Sequence, residues 1–300
     1  MTAPTTSESS TAAGENQPRV IGRMRSVNDL TRGYSAAACG LLLLCLLALI
    51  AVFAPWLGTV DPTALAPSKR LQLPSSEHWF GTDQLGRDIY SRVIYGTRIS
   101  LSVGFGVAFL ATVIGMFFGL IAGFFRLVDG ILMRMMDGLM AIPPILLAVA
   151  FMALMSGSII NVVVAITIAE APRMARLVRS VVLSARELPY VEAGVMAGST
   201  PLKILRLHIL PNVIAPTIVQ ATYVCASAML AEAALSFIGA GTPPTTPSWG
   251  NVMADARALW QVKPHVLLFP ALFLSLTILA VNMLGDGLRD ALDPRQTRRS

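Results

Sequence analysis

Charge is what this 300-residue chain has least of: Asp, Glu, Lys and Arg make up 13% of it, against 54% hydrophobic residues. Soluble domains carry about 25% charged residues, so that class is excluded and the chain reads as a membrane protein. Cysteine and histidine are equally sparse, three of each. Cys39, Cys45 and Cys225 all lie in apolar runs. Six residues of helix would separate the first two by about 9 Å of rise, too far for a bridge within one helix, so no disulfide framework follows. All three read as small apolar packing residues. His78, His208 and His265 are too scattered to form a metal or catalytic cluster. Glu77, Asp83 and Asp88 lack the spacing of a calcium loop. No G-x-x-x-x-G-K-[ST] phosphate cradle occurs, and no nucleophile elbow, zinc helix or pair of catalytic carboxylates. The expectation is a chain with no catalytic residues, no metal and no cofactor of its own, whose energy comes from elsewhere.

What is present is a succession of apolar runs broken by basic islands. They predict an all-α polytopic protein with six transmembrane helices, over about 36–57, 99–125, 138–155, 159–178, 212–237 and 266–284. Residues 1–18 are rich in Ser, Thr, Ala and Gly and have no signal-peptide core. Arg19, Arg23, Arg25 and Arg32 follow, just before the first run. With both termini cytoplasmic, 16 of the 23 Lys and Arg residues fall inside and 7 outside, as the positive-inside rule requires. The net charge of +6 is therefore a matter of membrane orientation, not of nucleic-acid binding. The predicted organisation is a tail over 1–33, a first helix and extracytoplasmic segment over 34–98, a membrane core over 99–288, and a C-terminal tail over 289–300. Within the core, Gly115, Gly119 and Gly123 recur every four residues, a smooth face for close helix packing. Arg126, Asp129, Arg134 and Asp137 read as a short polar loop, and Trp249 and Trp260 as interface-belt residues.

Three details point to function. Pro143-Pro144 must kink or interrupt the third span. Glu170 lies three residues before Arg173, the spacing of an ion pair, whereas Glu232 has no basic neighbour in sequence and must face protein or water. Residues 187–211 form a basic, half-polar island, ELPYVEAGVMAGSTPLKILRLHILP. Leu188, Val191 and Val195 give one apolar stripe, Gly198 a stop, Ser199 or Thr200 a cap, Pro201 a first turn, and Leu202, Leu205 and Ile209 a second stripe ended by Pro211. Two short amphipathic helices at an angle make a knob that cannot bury both apolar faces alone, so it either docks on something or lies as an interfacial helix on the membrane.

The spacing Glu192-Ala193-Gly194, three residues, Gly198, nine residues, His208, one residue, Leu210-Pro211 resembles the coupling-loop signature of bacterial importer-type ABC permeases, EAA, three residues, G, nine residues, I, one residue, LP. Gly194 and His208 depart from it. Upstream, GTDQLGRDIYSRVIYGTRISLSVG, Gly81 to Gly104, is similar to the segment that introduces the second helix in the C-type permease of dipeptide and oligopeptide ABC importers. LSFIGAGTPPTTPSWGNVMADAR, from Leu235, resembles the same subfamily. The resemblance implies the type I importer permease fold, ATPase coupling through Glu192, Ala193, Gly194, Gly198, Pro201, Leu210 and Pro211, and a translocation path near Glu232, Pro143 and Pro144. It also implies the partners: a homologous second permease, two ATPase subunits that hold ATP and Mg, an extracytoplasmic binding protein, a peptide substrate and membrane lipid. Nickel complexes or glutathione are the alternative cargo. A secondary transporter and an assembly scaffold without transport are the readings from other classes.

Overall fold

The computed structural model describes residues 27–292, with side chains from residue 35 onward. Of the predicted tails, Arg19, Arg23, Arg25 and residues 293–300 lie outside the described residues. Among those described there is no β-strand, only an isolated bridge between Thr82 and Asp88. The helices are α1 (Val27–Phe53), α2 (Ile89–Phe124), α3 (Arg126–Met140), α4 (Pro144–Leu154), α5 (Ile159–Arg186), α6 (Pro189–Met196), α7 (Pro201–Ile204), α8 (Leu210–Phe237), α9 (Trp249–Ala256) and α10 (His265–Leu292).

Small residues set the packing. A Cβ at Gly115, Gly119 or Gly123 of α2 would stand 2.5–2.6 Å from Met174 Cβ, Ala175 O and Val182 Cβ of α5 respectively. Those three glycines therefore let the two backbones close to a separation that Ala would forbid, the interface expected of helices that gain by packing in lipid. α8 lies against both α2 and α5, α10 against α8, and α1 against α10. Gly40 of α1 meets the backbone of Ala280 in α10. Outward faces carry bulky apolar residues such as Leu42, Leu46, Phe109 and Phe117, which in lipid need no further cover.

Among the described residues, four helical stretches are long and apolar enough to cross a membrane: 35–56, 89–124, 201–237 and 265–292. The third predicted span is not one helix beginning at 138. Instead α3 and α4 meet at Pro143-Pro144 with an 88° bend, and counted together they make a fifth. Proline removes the donor that would continue the ladder, and Pro144 starts α4 in its first turn, where no donor is needed. α5 has 28 residues, but Glu170, Arg173, Arg176 and Arg179 make it too charged to pass on composition.

The helix that carries the second predicted span begins ten residues ahead of it, at Ile89, where Asp88 caps it by accepting from Ser91 N at 2.8 Å. Three further expectations are corrected. Arg126, Asp129, Arg134 and Asp137 lie on helix α3 and not in a loop. Trp249 is fully buried, its indole N–H donating to Val93 O at 3.0 Å, so it is a core residue and not part of an interface belt. Pro211 does not end the second knob helix: it falls in the first turn of α8, which the chain enters directly through a π turn over Leu205–Ile209.

Candidate functional site

The knob is built from α6, a turn and α7. α6 closes in a Schellman motif: Ser199 N donates to Gly194 O at 3.1 Å and Gly198 N to Val195 O at 2.9 Å. Gly198 has φ +74°, the left-handed conformation that this cap requires and that a side chain resists. Thr200 precedes α7 in extended conformation but makes no side-chain cap, and Pro201 occupies the first turn. The inward stripe is Val191, Ile204 and Ile209, all buried. Glu192, Ala193, Gly198, Pro201 and Pro211 are exposed, while Gly194 and Leu210 are half-buried. Apolar side chains stand among the exposed ones: Met196 is 89% exposed, Leu202 64% and Leu207 59%. A polar-rimmed apolar knob of this kind marks a docking surface.

The two departures from the signature touch each other. A Cβ at Gly194 would meet His208 Nε2 at 3.4 Å, ordinary van der Waals contact, so an alanine would also fit beside the ring. The same ring packs edge-on against Tyr190, with centroids 6.0 Å apart. Tyr190 Oη accepts from Asn212 Nδ2 at 2.8 Å, and that amide also donates to His208 O at 2.6 Å. Behind the knob lies a cavity of about 380 Å³ lined by Phe124, Arg186, Val191, Glu192, Val195, Met196 and Ile204.

α3 is tied beside this region. Asp129 takes two bonds from Arg179, 2.5 and 2.6 Å, and Asp137 pairs with Arg176. Arg173 reaches Glu170 Oε2 at 3.2 Å, the spacing read from sequence, and Ser227 Oγ donates to Glu170 Oε1 at 3.0 Å.

At the other end of α2 the polar groups are buried. Asp83 makes an Asx turn, accepting from Leu85 N at 2.8 Å. Its Oδ2 also accepts from Arg87 Nε at 2.6 Å and Arg92 Nη1 at 2.7 Å. Both arginines bond Asp255 of α9 as well, at 2.7 and 2.8 Å. Asp88 and Arg92 stand at i, i+4, but Asp88 is spent on its cap and on His78 Nδ1 at 3.0 Å.

Glu232 is fully buried in α8, facing protein. Its Oε1 accepts from Ser236 Oγ at 2.9 Å, and Ser100 and Ser248 stand close by. Ser236 approaches Thr242, which approaches Ser248 and accepts from Asn251 Nδ2 at 2.9 Å. The chain of polar groups thus joins α2, α8 and α9. Pro143 and Pro144 lie on the surface at the α3–α4 bend, within the described residues. Asp255 and Asn251 carried no sign of their partners, since the contacts close over more than 160 residues for Asp255. The Ser248 cap was legible as a Ser three residues before Asn251.

An all-helical bundle with several helices long and apolar enough to cross a membrane defines a polytopic membrane protein. Residues 111–298 match the family described as binding-protein-dependent transport system inner membrane component. A probable peptide ABC transporter permease of Sinorhizobium fredii is 49% identical over 84% of this chain and 86% of its own. A dipeptide transport system permease of Alkalihalophilus pseudofirmus is 42% identical over 97% and 96%. A glutathione transport system permease of Pectobacterium atrosepticum is 43% identical over 88% of each. In structure the chain is similar to the inward-facing MetNI methionine ABC transporter, with a TM-score of 0.57 at 20% identity over 67% of this chain and 95% of that one; at that identity the likeness concerns the fold. The chain belongs to the family of binding-protein-dependent transport system inner membrane components. It is a multi-pass inner-membrane permease subunit of the ABC importer class.

Proposed function

We propose that this chain is one membrane subunit of an ATP-driven importer of di- and oligopeptides, with the knob over 187–211 receiving the force of ATP hydrolysis from a separate ATPase. The observation that supports this reading most strongly is the knob itself. Its backbone is fixed by the Schellman turn at Gly198, while Met196, Leu202 and Leu207 stand uncovered. Glu192, Ala193, Gly194, Gly198, Pro201, Leu210 and Pro211 form or frame that surface. Peptides are the proposed cargo because the relatives at 49% and 42% identity are named for peptide and dipeptide transport. The glutathione permease at 43% identity keeps glutathione, itself a small peptide, as the second reading.

In this proposal α5 is a span as well, its 28 residues covering about 42 Å, which brings the count to six with both termini inside. The assembly holds a homologous second permease and two ATPase subunits that carry ATP and Mg. An extracytoplasmic binding protein delivers the substrate. Glu232 and the Pro143-Pro144 bend border the path that opens between the permeases.

The test is substrate-stimulated ATP hydrolysis in lipid, after co-purifying the chain with its membrane and ATPase subunits and adding a candidate binding protein. Stimulation by short peptides is expected. Stimulation by glutathione or nickel complexes alone would change the cargo and keep the class. Failure of any ATPase to co-purify would remove the coupling role. Uptake that persists without ATP and collapses with the proton gradient would make the chain a secondary transporter.

A further inference from the structure

α2 runs unbroken for 36 residues, about 54 Å, and along its second half the three glycines fuse it to α5. Where the two helices end, one side chain joins them. Arg186 is the last residue of α5, and its Nη1 donates to Gly123 O at 3.0 Å and Phe124 O at 3.1 Å. Those carbonyls belong to the last turn of α2, where the helix ladder leaves acceptors unmatched and the helix end is partially negative, so a cation there is favoured. The guanidinium also lies over the Phe124 ring, 5.8 Å from its centroid. Arg186 and Phe124 line the same cavity as Val191, Glu192, Val195 and Met196 of α6 and Ile204 of α7.

We propose that Arg186 is a positioning residue for coupling: it clamps the end of α2 to the end of α5, three residues before the knob helix α6 begins, so that displacement of α6 moves α2 and α5 as one body. The proposal rests on the reading of the knob as the surface that meets the ATPase. Lysine can supply a donor to the same carbonyls but not the flat surface that stacks on Phe124, which makes it an informative partial replacement.

The experiment compares wild type, R186A and R186K in the complete reconstituted complex. It measures peptide taken up per ATP hydrolysed, with subunit stoichiometry checked by co-purification. For R186A the ratio is expected to fall about tenfold, the order set by one hydrogen bond to a charged group, while peptide still stimulates hydrolysis; R186K should recover part of the ratio. An unchanged ratio in assembled R186A, or uptake and hydrolysis falling in equal proportion, would overturn the proposal. If R186A does not assemble, F124L takes its place: it removes the stacking surface and keeps the carbonyls, and an unchanged ratio there would overturn the proposal equally. A wild-type complex that shows no ATP-dependent uptake would sink the importer reading itself, whereas a coupled wild type with an indifferent R186A would sink only the clamp.

Discussion

At its N-terminal end α2 begins inside a buried ion network shared with α9, whereas at its C-terminal end it stops against one guanidinium and a knob with apolar side chains in the open. The first end satisfies its polar groups within the chain: Asp83 is fully buried and Arg92 nearly so, and four charges neutralise one another across two elements. The second end leaves Met196, Leu202 and Leu207 exposed, as the proposed contact with an ATPase requires. A rigid helix links an end that is finished to an end that is not. Damage to the first should therefore appear as lost stability, and damage to the second as lost coupling with stability intact.

The largest effect is expected at the finished end. Arg92→Ala removes two bonds to Asp83 and Asp255 and leaves a buried carboxylate with Arg87 alone. Breaking one side of a buried ion network costs about 3–5 kcal/mol, so the detergent-purified chain should lose most of its thermal stability. Asp255→Asn should cost less, since Asp255 is 33% exposed and Asp83 still pairs both arginines. Equal melting temperatures for Arg92→Ala and wild type would mean that the network does not hold α9 in place.

Gly198→Val is the counterpart at the open end. Nothing lies within 4 Å of a Cβ there, so the whole penalty is conformational: a branched residue at φ +74° costs about 1–2 kcal/mol. The complex should still assemble and hydrolyse ATP while uptake falls away, and Gly198→Asn, which tolerates this conformation, should keep most of it. Transport at the wild-type rate in Gly198→Val would remove Gly198 from the coupling role.

Glu232 sits between these extremes, because it is buried like Asp83 but bonded only to neutral groups. Glu232→Leu should cost about 1–3 kcal/mol by stranding its hydroxyl partner, and Glu232→Gln should restore most of that by offering Ser236 an acceptor of the same shape. A melting temperature for Glu232→Leu at or above wild type would show that the polar chain from α8 to α9 adds no cohesion.

Legibility in the sequence divides along the same line. The Gly198 stop, the Asx turn at Asp83, the glycine face of α2 and the Glu170–Arg173 pair are all local, and periodicity or turn chemistry carries them. What the sequence hid was long-range. Asp255 completes a network begun at Asp83, and Arg186 reaches carbonyls 62 and 63 residues away. α3 was misread for a different reason: four charges in twelve residues suggested a loop, yet Leu127, Ile131 and Met135 recur at i, i+4 and i+8, a helical stripe. Pro211 was ambiguous in itself, since proline ends one helix as readily as it begins another.

The smallest predicted effect tests whether exposure, more than the number of bonds, separates the two ends. Asp129 and Arg179 form a two-bond pair with geometry as good as that of Asp83 and Arg87, but their side chains are 22% and 30% exposed. Solvent reduces such a pair to about 0.2–1 kcal/mol, less in salt. Asp129→Asn should therefore shift the melting temperature only slightly, and the shift should shrink as salt is raised, while that of Arg92→Ala stays put. If Asp129→Asn proved as damaging as Arg92→Ala, α3 would be held to α5 as firmly as α9 is held to α2, and the contrast between a finished and an open end of the molecule would fail.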